Sequence, residues 1–151
     1  MSHGVPFKIG PPDGRSYPFR VVADGERSNG LALGDTKIPA GTPGPARHVH
    51  THEDEALYVL SGVLTVEVGD ERYDAASESF VFMPRGLPHA FGNLGEQEVR
   101  AVVLFNSTTL SRMFEEQAEY RASVNGAPDP AVLTEISERY GVRPVGGPLI
   151  R

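Results

Sequence analysis

Short apolar runs separated by turn residues constrain the fold of this chain more than any other feature. From residue 19 to residue 105, β-branched and aromatic residues occur in runs of strand length that end at glycine, proline, serine or aspartate. The predicted strands are residues 19–23, 31–38, 55–60, 63–68, 71–75, 80–83 and 99–105. The 17 glycines and 13 prolines in 151 residues stand singly or in pairs between these runs, which indicates turns rather than disorder. The sequence therefore predicts an all-β barrel or sandwich.

One or two helices are predicted after the last strand. The first follows three candidate N-cap residues at 107–109, and its residues at helical spacing are Leu110, Met113, Phe114, Gln117 and Ala118. The second has Asp129 as N-cap and Pro130 at its first position, and Gly141 ends it. Residues 101–105 are apolar without alternation, so both faces of that strand should be covered. We expect an N-terminal arm (1–18), a barrel (19–106) and a C-terminal helical extension (107–151) packed on the outside.

Composition and charge exclude several classes of protein. The chain has no cysteine, so disulfides, thiolate metal sites and cysteine nucleophiles are excluded. Lysine and arginine total 14 against 20 acidic residues, and the formal net charge of −6 suits a nucleic-acid backbone poorly. No apolar run resembles a signal peptide or reaches the ~20 residues that span a bilayer. We expect a cytoplasmic protein without a nucleic-acid or membrane partner.

Four of the five histidines fall in two short segments. In a strand, His48 and His50 would point to the same face, and a carboxylate after a bend could complete a 2-His-1-carboxylate set. His89 follows a Pro-x-Gly turn that could deliver its ring from another strand. A lone His-x-His is more often a surface pair, and acidic residues such as 53–55 are usually solvated. The segment that contains His89 is what favours a metal site. Nitrogen and oxygen ligands without sulfur suit a divalent ion of Fe, Mn, Ni, Co, Cu or Zn.

Both segments resemble the two motifs of the cupin superfamily. The first motif, G-x5-H-x-H-x3-4-E-x6-G, is matched in register by His48, His50, Glu55 and Gly62. The second, G-x5-P-x-G-x2-H-x3-N, is matched by Pro84, Gly86, His89 and Asn93. The leading glycine of each motif is replaced, by Thr42 and by Glu78. The resemblance covers about residues 21–105 and implies a double-stranded β-helix, or jelly-roll, barrel.

The resemblance implies four ligands for one divalent transition metal per chain: His48, His50, Glu55 and His89. His52 shares strand parity with the histidine pair, and we expect it beside the ligands or at the cavity rim. Glu53 and Asp54 are expected to face solvent, and Asn93 to be a structural turn residue. The candidates for the substrate pocket are His52, Leu57, Val59, Phe82, Phe91, Phe105, Arg47 and Arg85. The two arginines could steer an anionic substrate, although both could equally be surface residues.

The C-terminal segment resembles small bacterial cupins described as quercetin dioxygenase-like. That resemblance implies an oxidoreductase that cleaves a small enol- or phenol-containing substrate with dioxygen, Glu55 acting as ligand and as proton acceptor. A metal-dependent isomerase, lyase or cyclase is an alternative, and a non-catalytic small-molecule-binding module is another, because one fold hosts many functions. The apolar strand and the N-terminal arm also predict a homodimer.

Overall fold

Two antiparallel five-stranded sheets pack face to face in a jelly-roll β-sandwich. The computed structural model describes residue 8 and residues 19–150, so the predicted N-terminal arm lies almost wholly outside the described residues. One sheet has the order β1-β2-β9-β4-β7 and the other β10-β3-β8-β5-β6. The strands are β1 Phe19–Ala23, β2 Leu31–Ile38, β3 His48–His50, β4 Glu55–Ser61, β5 Val63–Val68, β6 Glu71–Ala76, β7 Phe80–Met83, β8 His89–Gly92, β9 Val99–Asn106 and β10 Val142–Pro144. The helices are α1 Leu110–Ser123 and α2 Pro130–Arg139.

The core between the sheets follows the alternation of side chains along each strand. Leu57 and Val59 of β4 are fully buried, and so are Leu64 and Val66 of β5 in the opposite sheet. On the other face of β4, Tyr58 and Leu60 are exposed. Because successive side chains of a strand point to opposite faces, each sheet has one face toward the core and one toward solvent.

The two helices lie over one end of the sandwich and not on the outer face of β9, where they were expected. In α1, the Phe114 ring lies 6.0 Å from the ring of Phe105, whose side chain is buried on the inward face of β9. Val102 and Leu104, on the outward face, are only half-buried among the described residues. The helices therefore do not account for the apolar residues on the outward face of β9. None of the helices in the described part of the chain is long and apolar enough to cross a membrane.

The C-terminal segment also contributes a strand that the sequence pattern does not predict. In β10, Val142 pairs with His50 and Pro144 pairs with His48 of β3. Thr51 donates its backbone N–H to the carbonyl oxygen of Gly141 at 2.8 Å, which connects the end of α2 to the same segment. Residues 142–144 therefore support the strand that carries two of the predicted metal ligands.

Two backbone positions explain how the chain tolerates the missing motif glycines. Glu78 has a φ of +69°, so residue 78 keeps the left-handed conformation that glycine would adopt there. Thr42 has an isolated bridge to Asn93, whereas Gly44 lies so close to β8 that a Cβ would overlap the carbonyl oxygen of Phe91. Near the start of the first motif, the residue that must be glycine for steric reasons is therefore Gly44 and not residue 42.

Candidate metal centre

Three strands bring the predicted ligands to the same end of the sandwich. His48 and His50 are the two ends of β3, Glu55 begins β4 and His89 begins β8. His48 and His89 are direct partners in the pairing of β3 with β8. The turn before His89 is attached to the first motif because Gly86 donates its N–H to the carbonyl oxygen of His50 at 2.8 Å. The register of the sheet therefore sets the spacing of the imidazoles.

The three imidazoles converge on one carboxylate oxygen. The Nε2 atoms of His89, His50 and His48 lie 3.1, 3.2 and 3.9 Å from Oε2 of Glu55. One ligand atom from each of the four residues can be chosen so that all lie within 4.8 Å of one another. Ligands bound at about 2.1 Å from one ion are separated by roughly 3 Å or slightly more. The cluster has the donor atoms and nearly the spacing that a single metal ion requires.

The other ring nitrogen of each histidine has its own acceptor. Nδ1 of His48 donates to the carbonyl oxygen of Ala46 at 2.7 Å, and Nδ1 of His89 donates to that of Leu87 at 2.9 Å. A carbonyl oxygen only accepts hydrogen bonds, so Nδ1 of each of these two rings carries a proton and Nε2 is the ring nitrogen left to bind a metal ion. Nδ1 of His50 lies 3.4 Å from Oε2 of Glu53. All three rings are thus oriented to present Nε2 to the centre of the cluster.

Electrostatics favour a cation among these groups. Burial acts to raise the pKa of Glu55, but hydrogen bonds from His50 and His89 outweigh it and lower the pKa to about 2. Burial acts to lower the pKa of His50, but the carboxylates of Glu53 and Glu55 raise it to about 9. Burial lowers the pKa of His48. At neutral pH the cluster therefore holds the ionised carboxylate of Glu55 beside a protonated His50, and a metal ion bound there would take the place of the Nε2 proton of His50.

A cavity of about 560 Å³ opens above the cluster. His48, His50 and Glu55 lie in its wall, together with apolar side chains from β2, β9 and both helices, which include Ile38, Val103, Phe105, Met113, Phe114 and Leu133. Among the lining residues are one lysine, Lys37, and no arginine. The helical extension therefore supplies much of the wall of the candidate site.

Of the residues predicted for the pocket, the structure places Phe91 and Phe105 in the cavity wall. Leu57 and Val59 do point inward, but both are fully buried in the core and do not line the cavity. Only the first residue of β4, Glu55, reaches the cavity, and the strand then continues between the two sheets.

Phe82 and the two arginines lie away from the cavity, in contrast to the prediction. Phe82 is 53% exposed because it alternates with the buried Val81 and Met83. Arg47 forms an ion pair with Glu67 at 2.9 Å, and it also donates to the carbonyl oxygen of Gly69.

Arg85 is held by the loop that precedes Glu55. Its side chain donates to both carboxylate oxygens of Asp54, at 3.1 and 2.8 Å, and its backbone N–H donates to the same residue at 3.0 Å. Asp54 also accepts from the side chain of Asn106 at 2.9 Å. These contacts fix the turn before His89 against the first motif and leave neither charged group in the cavity.

His52 is exposed and does not line the cavity. Its ring lies against Gly141, where a Cβ would come 2.5 Å from the ring carbon Cδ2. The backbone turns after His50, so the strand parity that would align His52 with the ligand pair ends there. The ring of His52 therefore lies outside the cluster that the predicted ligands form.

Glu53 is the residue whose environment sequence reasoning missed. It was expected to face solvent, but it is 1% exposed and its carboxylate lies between His50 and Ser107. Burial acts to raise the pKa of Glu53, but the ring of His50 and the hydroxyl of Ser107 lower it. No local signal separates it from its solvated neighbours, because the group that covers it is 54 residues away in the sequence.

Comparisons with known proteins agree with the fold and the motifs. Residues 34–105 match the family model described as Cupin domain. The chain is 32% identical over 115 residues to oxalate oxidase GF-3.8 of Triticum aestivum, an alignment that covers 68% of this chain and 50% of that protein. It is 29% identical over 92 residues to quercetin 2,3-dioxygenase of Bacillus subtilis (strain 168), covering 58% of this chain and 27% of that protein.

Among solved structures, TT1209 from Thermus thermophilus superposes with a TM-score of 0.54 at 26% identity, covering 62% of this chain and 90% of the other. The chain thus spans half or less of the length of the two curated relatives described above. The family match ends at residue 105, before both helices begin.

Proposed function

We propose that this chain, which belongs to the cupin superfamily, is a metal-dependent dioxygenase for a small enol- or phenol-containing substrate. In this proposal His48, His50, Glu55 and His89 bind one divalent transition metal. The observation that carries it is the convergence of three Nε2 atoms on one buried carboxylate oxygen, at 3.1 to 3.9 Å, in the wall of an apolar cavity. Three nitrogens and one oxygen leave coordination positions free for a substrate and a co-substrate.

The size of the cavity and the apolar character of its wall support an enol- or phenol-containing substrate. Oxalate, named in the wheat relative, is a small dianion that would be recognised by cationic side chains in a tight site. Here the cavity measures about 560 Å³, and apart from the metal cluster its walls are mostly apolar. Such a site suits a mainly apolar organic molecule with one or two oxygen atoms to direct toward a metal. This favours a flavonol-like or β-diketone substrate over oxalate.

The chain's own residues would perform three tasks. A divalent metal held here would supply Lewis acidity toward a substrate hydroxyl and redox chemistry with dioxygen. Phe105, Phe114 and Leu133 would hold the substrate and exclude water from the cluster. Glu55 is proposed as ligand and as acceptor of the hydroxyl proton, because its buried carboxylate lies at the centre of the three Nε2 atoms and in the wall of the cavity.

Elemental analysis followed by oxygen-electrode screening tests this proposal. Protein purified without added metal should contain about one equivalent of a transition metal per chain. It should consume dioxygen with a flavonol or a β-diketone, while the His48→Ala/His50→Ala double variant should lack both metal and uptake. Full metal occupancy in the double variant would refute the ligand assignment. Turnover without oxygen uptake would point to an isomerase, lyase or cyclase, and a site that takes up only zinc would argue against oxygen chemistry.

We also propose that two copies of this chain associate through the outer face of the β1-β2-β9-β4-β7 sheet. Tyr58, Phe80 and Phe82 are 38%, 61% and 53% exposed, and they pair across β4 and β7 beside the half-buried Val102 of β9. Asp35, the direct partner of Val102 on β2, borders this apolar patch and accepts from Arg100 of the same chain at 3.1 Å. A contiguous apolar face whose bordering charges are paired internally suits a second copy better than a highly charged partner. A cytoplasmic location remains part of the proposal.

A further inference from the structure

His50 differs from the other two histidines of the cluster in the group that orients its ring. His48 and His89 each donate Nδ1–H to the carbonyl oxygen two residues earlier, of Ala46 and Leu87. His50 instead has a carboxylate, that of Glu53, 3.4 Å from Nδ1. An ionised acceptor holds an N–H more strongly than a neutral carbonyl and makes the opposite ring nitrogen a better metal ligand.

We propose that Glu53 is a positioning residue for the metal site. In this inference, which rests on the proposed function, Glu53 keeps Nε2 of His50 directed at the metal. It also connects this ligand to the helix that forms part of the cavity wall.

The burial of Glu53 supports the first part of this inference. At 1% exposure an ionised carboxylate is destabilising unless both of its oxygens have partners. Oε2 has the ring of His50, and Oε1 accepts from the hydroxyl of Ser107 at 3.2 Å. A buried carboxylate held between two specific donors has one orientation, so it fixes the orientation of the ring that donates to it.

The connection to α1 passes through the same hydroxyl. Oγ of Ser107 accepts the backbone N–H of Leu110 at 3.0 Å and that of Thr109 at 3.2 Å, so Ser107 caps the start of the helix. One turn further on, Met113 and Phe114 line the cavity. Capping requires only the lone pairs of Ser107, whereas its proton is directed to Glu53. The contact between Glu53 and His50 therefore serves no capping function of its own.

The test compares the metal affinity of wild type and Glu53→Gln, using Co(II) as the probe and a competing chelator. The substitution keeps the size of the side chain and removes its charge, and a glutamine amide could also donate to Nδ1 and so favour the wrong tautomer. We expect Co(II) to bind about 10–100-fold more weakly. The control is Glu116→Gln, the same chemical change on α1, where Glu116 contacts Arg139 and Tyr140 of the helical extension. This control should lower stability without changing the affinity for Co(II).

A second measurement separates positioning from a structural role. In zinc-loaded wild type labelled with ¹⁵N-histidine, the Nδ1 proton signal of each ligand histidine reports the acceptor of that ring, which is Glu53 for His50 and a backbone carbonyl oxygen for His48 and His89. Glu53→Gln should move the His50 signal and leave the other two in place. If Glu53→Gln does not fold, Glu53→Asp replaces it; this variant keeps the charge and should bind Co(II) with intermediate affinity.

The outcomes distinguish this inference from the proposed function. Wild type that binds neither Co(II) nor zinc at this cluster would refute the proposed function. Wild type that binds while Glu53→Gln binds equally well would overturn only the role of Glu53. So would a His50 proton signal that is the same in wild type and in Glu53→Gln.

Discussion

Replacing Glu78 by glycine is expected to stabilise the fold, because residue 78 has a backbone conformation that suits glycine. Its φ is +69°, and its N–H donates to the carbonyl oxygen of Val59 at 2.8 Å in the connection between β6 and β7. A residue with a Cβ is destabilised by about 1–2 kcal/mol in the left-handed region. Glycine in turn loses more backbone freedom on folding, by roughly 0.5–1 kcal/mol relative to alanine. The difference leaves a stabilisation of about 1 kcal/mol.

Thermal unfolding followed by circular dichroism measures this effect. For a domain of this length, 1 kcal/mol corresponds to a rise in Tm of about 2–4 °C. Because the substitution also removes one of the 20 acidic residues from a chain of net charge −6, Glu78→Gln is the matched control. It removes the charge and keeps the Cβ. A Tm for Glu78→Gly at or below that of Glu78→Gln would show that the conformation at residue 78 stores no strain that glycine relieves.

Two further predictions concern the site and the assembly. His48→Ala should lower metal content far more than His52→Ala, because Nε2 of His48 lies 3.9 Å from Oε2 of Glu55 whereas His52 packs against Gly141; elemental analysis of both variants measures this. The reverse order would make His50 and His52 the ligand pair. Sedimentation at micromolar concentration should show a dimer that Phe80→Glu converts to a species near 16.3 kDa. Tyr73→Glu, at an aromatic residue 45% exposed on the other sheet, should leave the dimer intact, and a wild-type monomer would refute the assembly.

The elements that could be predicted from sequence are those whose signals are local. The pattern of β-branched runs predicted β2, β5 and β7 with the bounds observed, because a turn residue or proline stops each strand. The start of α2 was also predicted, and Asp129 accepts the N–H of Ala131 at 2.8 Å as an N-cap should. Strand parity predicted that His48 and His50 share a face, and a Pro-x-Gly turn predicted the approach of His89, whereas the full ligand set was implied by the resemblance to the cupin motifs.

The features that could not be predicted depend on partners distant in the sequence. β10 has three residues and ends in proline, and it is a strand only because β3 lies beside it. Glu53 looks like a solvated acidic residue until Ser107 and His50 are brought to either side of it. Both helices were predicted, but their amphipathic faces do not specify whether they cover the outside of a sheet or the end of a sandwich.

The position of the two helices, over the end of the sandwich and not over the outside of a sheet, bears directly on the proposed function. The family match ends at residue 105, yet Met113, Phe114 and Leu133 lie in the cavity wall beyond it. The candidate metal ligands lie in strands that the match includes, whereas part of the apolar cavity wall comes from the helices. Under the proposed function, the residues of β3, β4 and β8 would bind the metal, and α1 and α2 would contribute to substrate preference together with Phe91 and Phe105 of the strands.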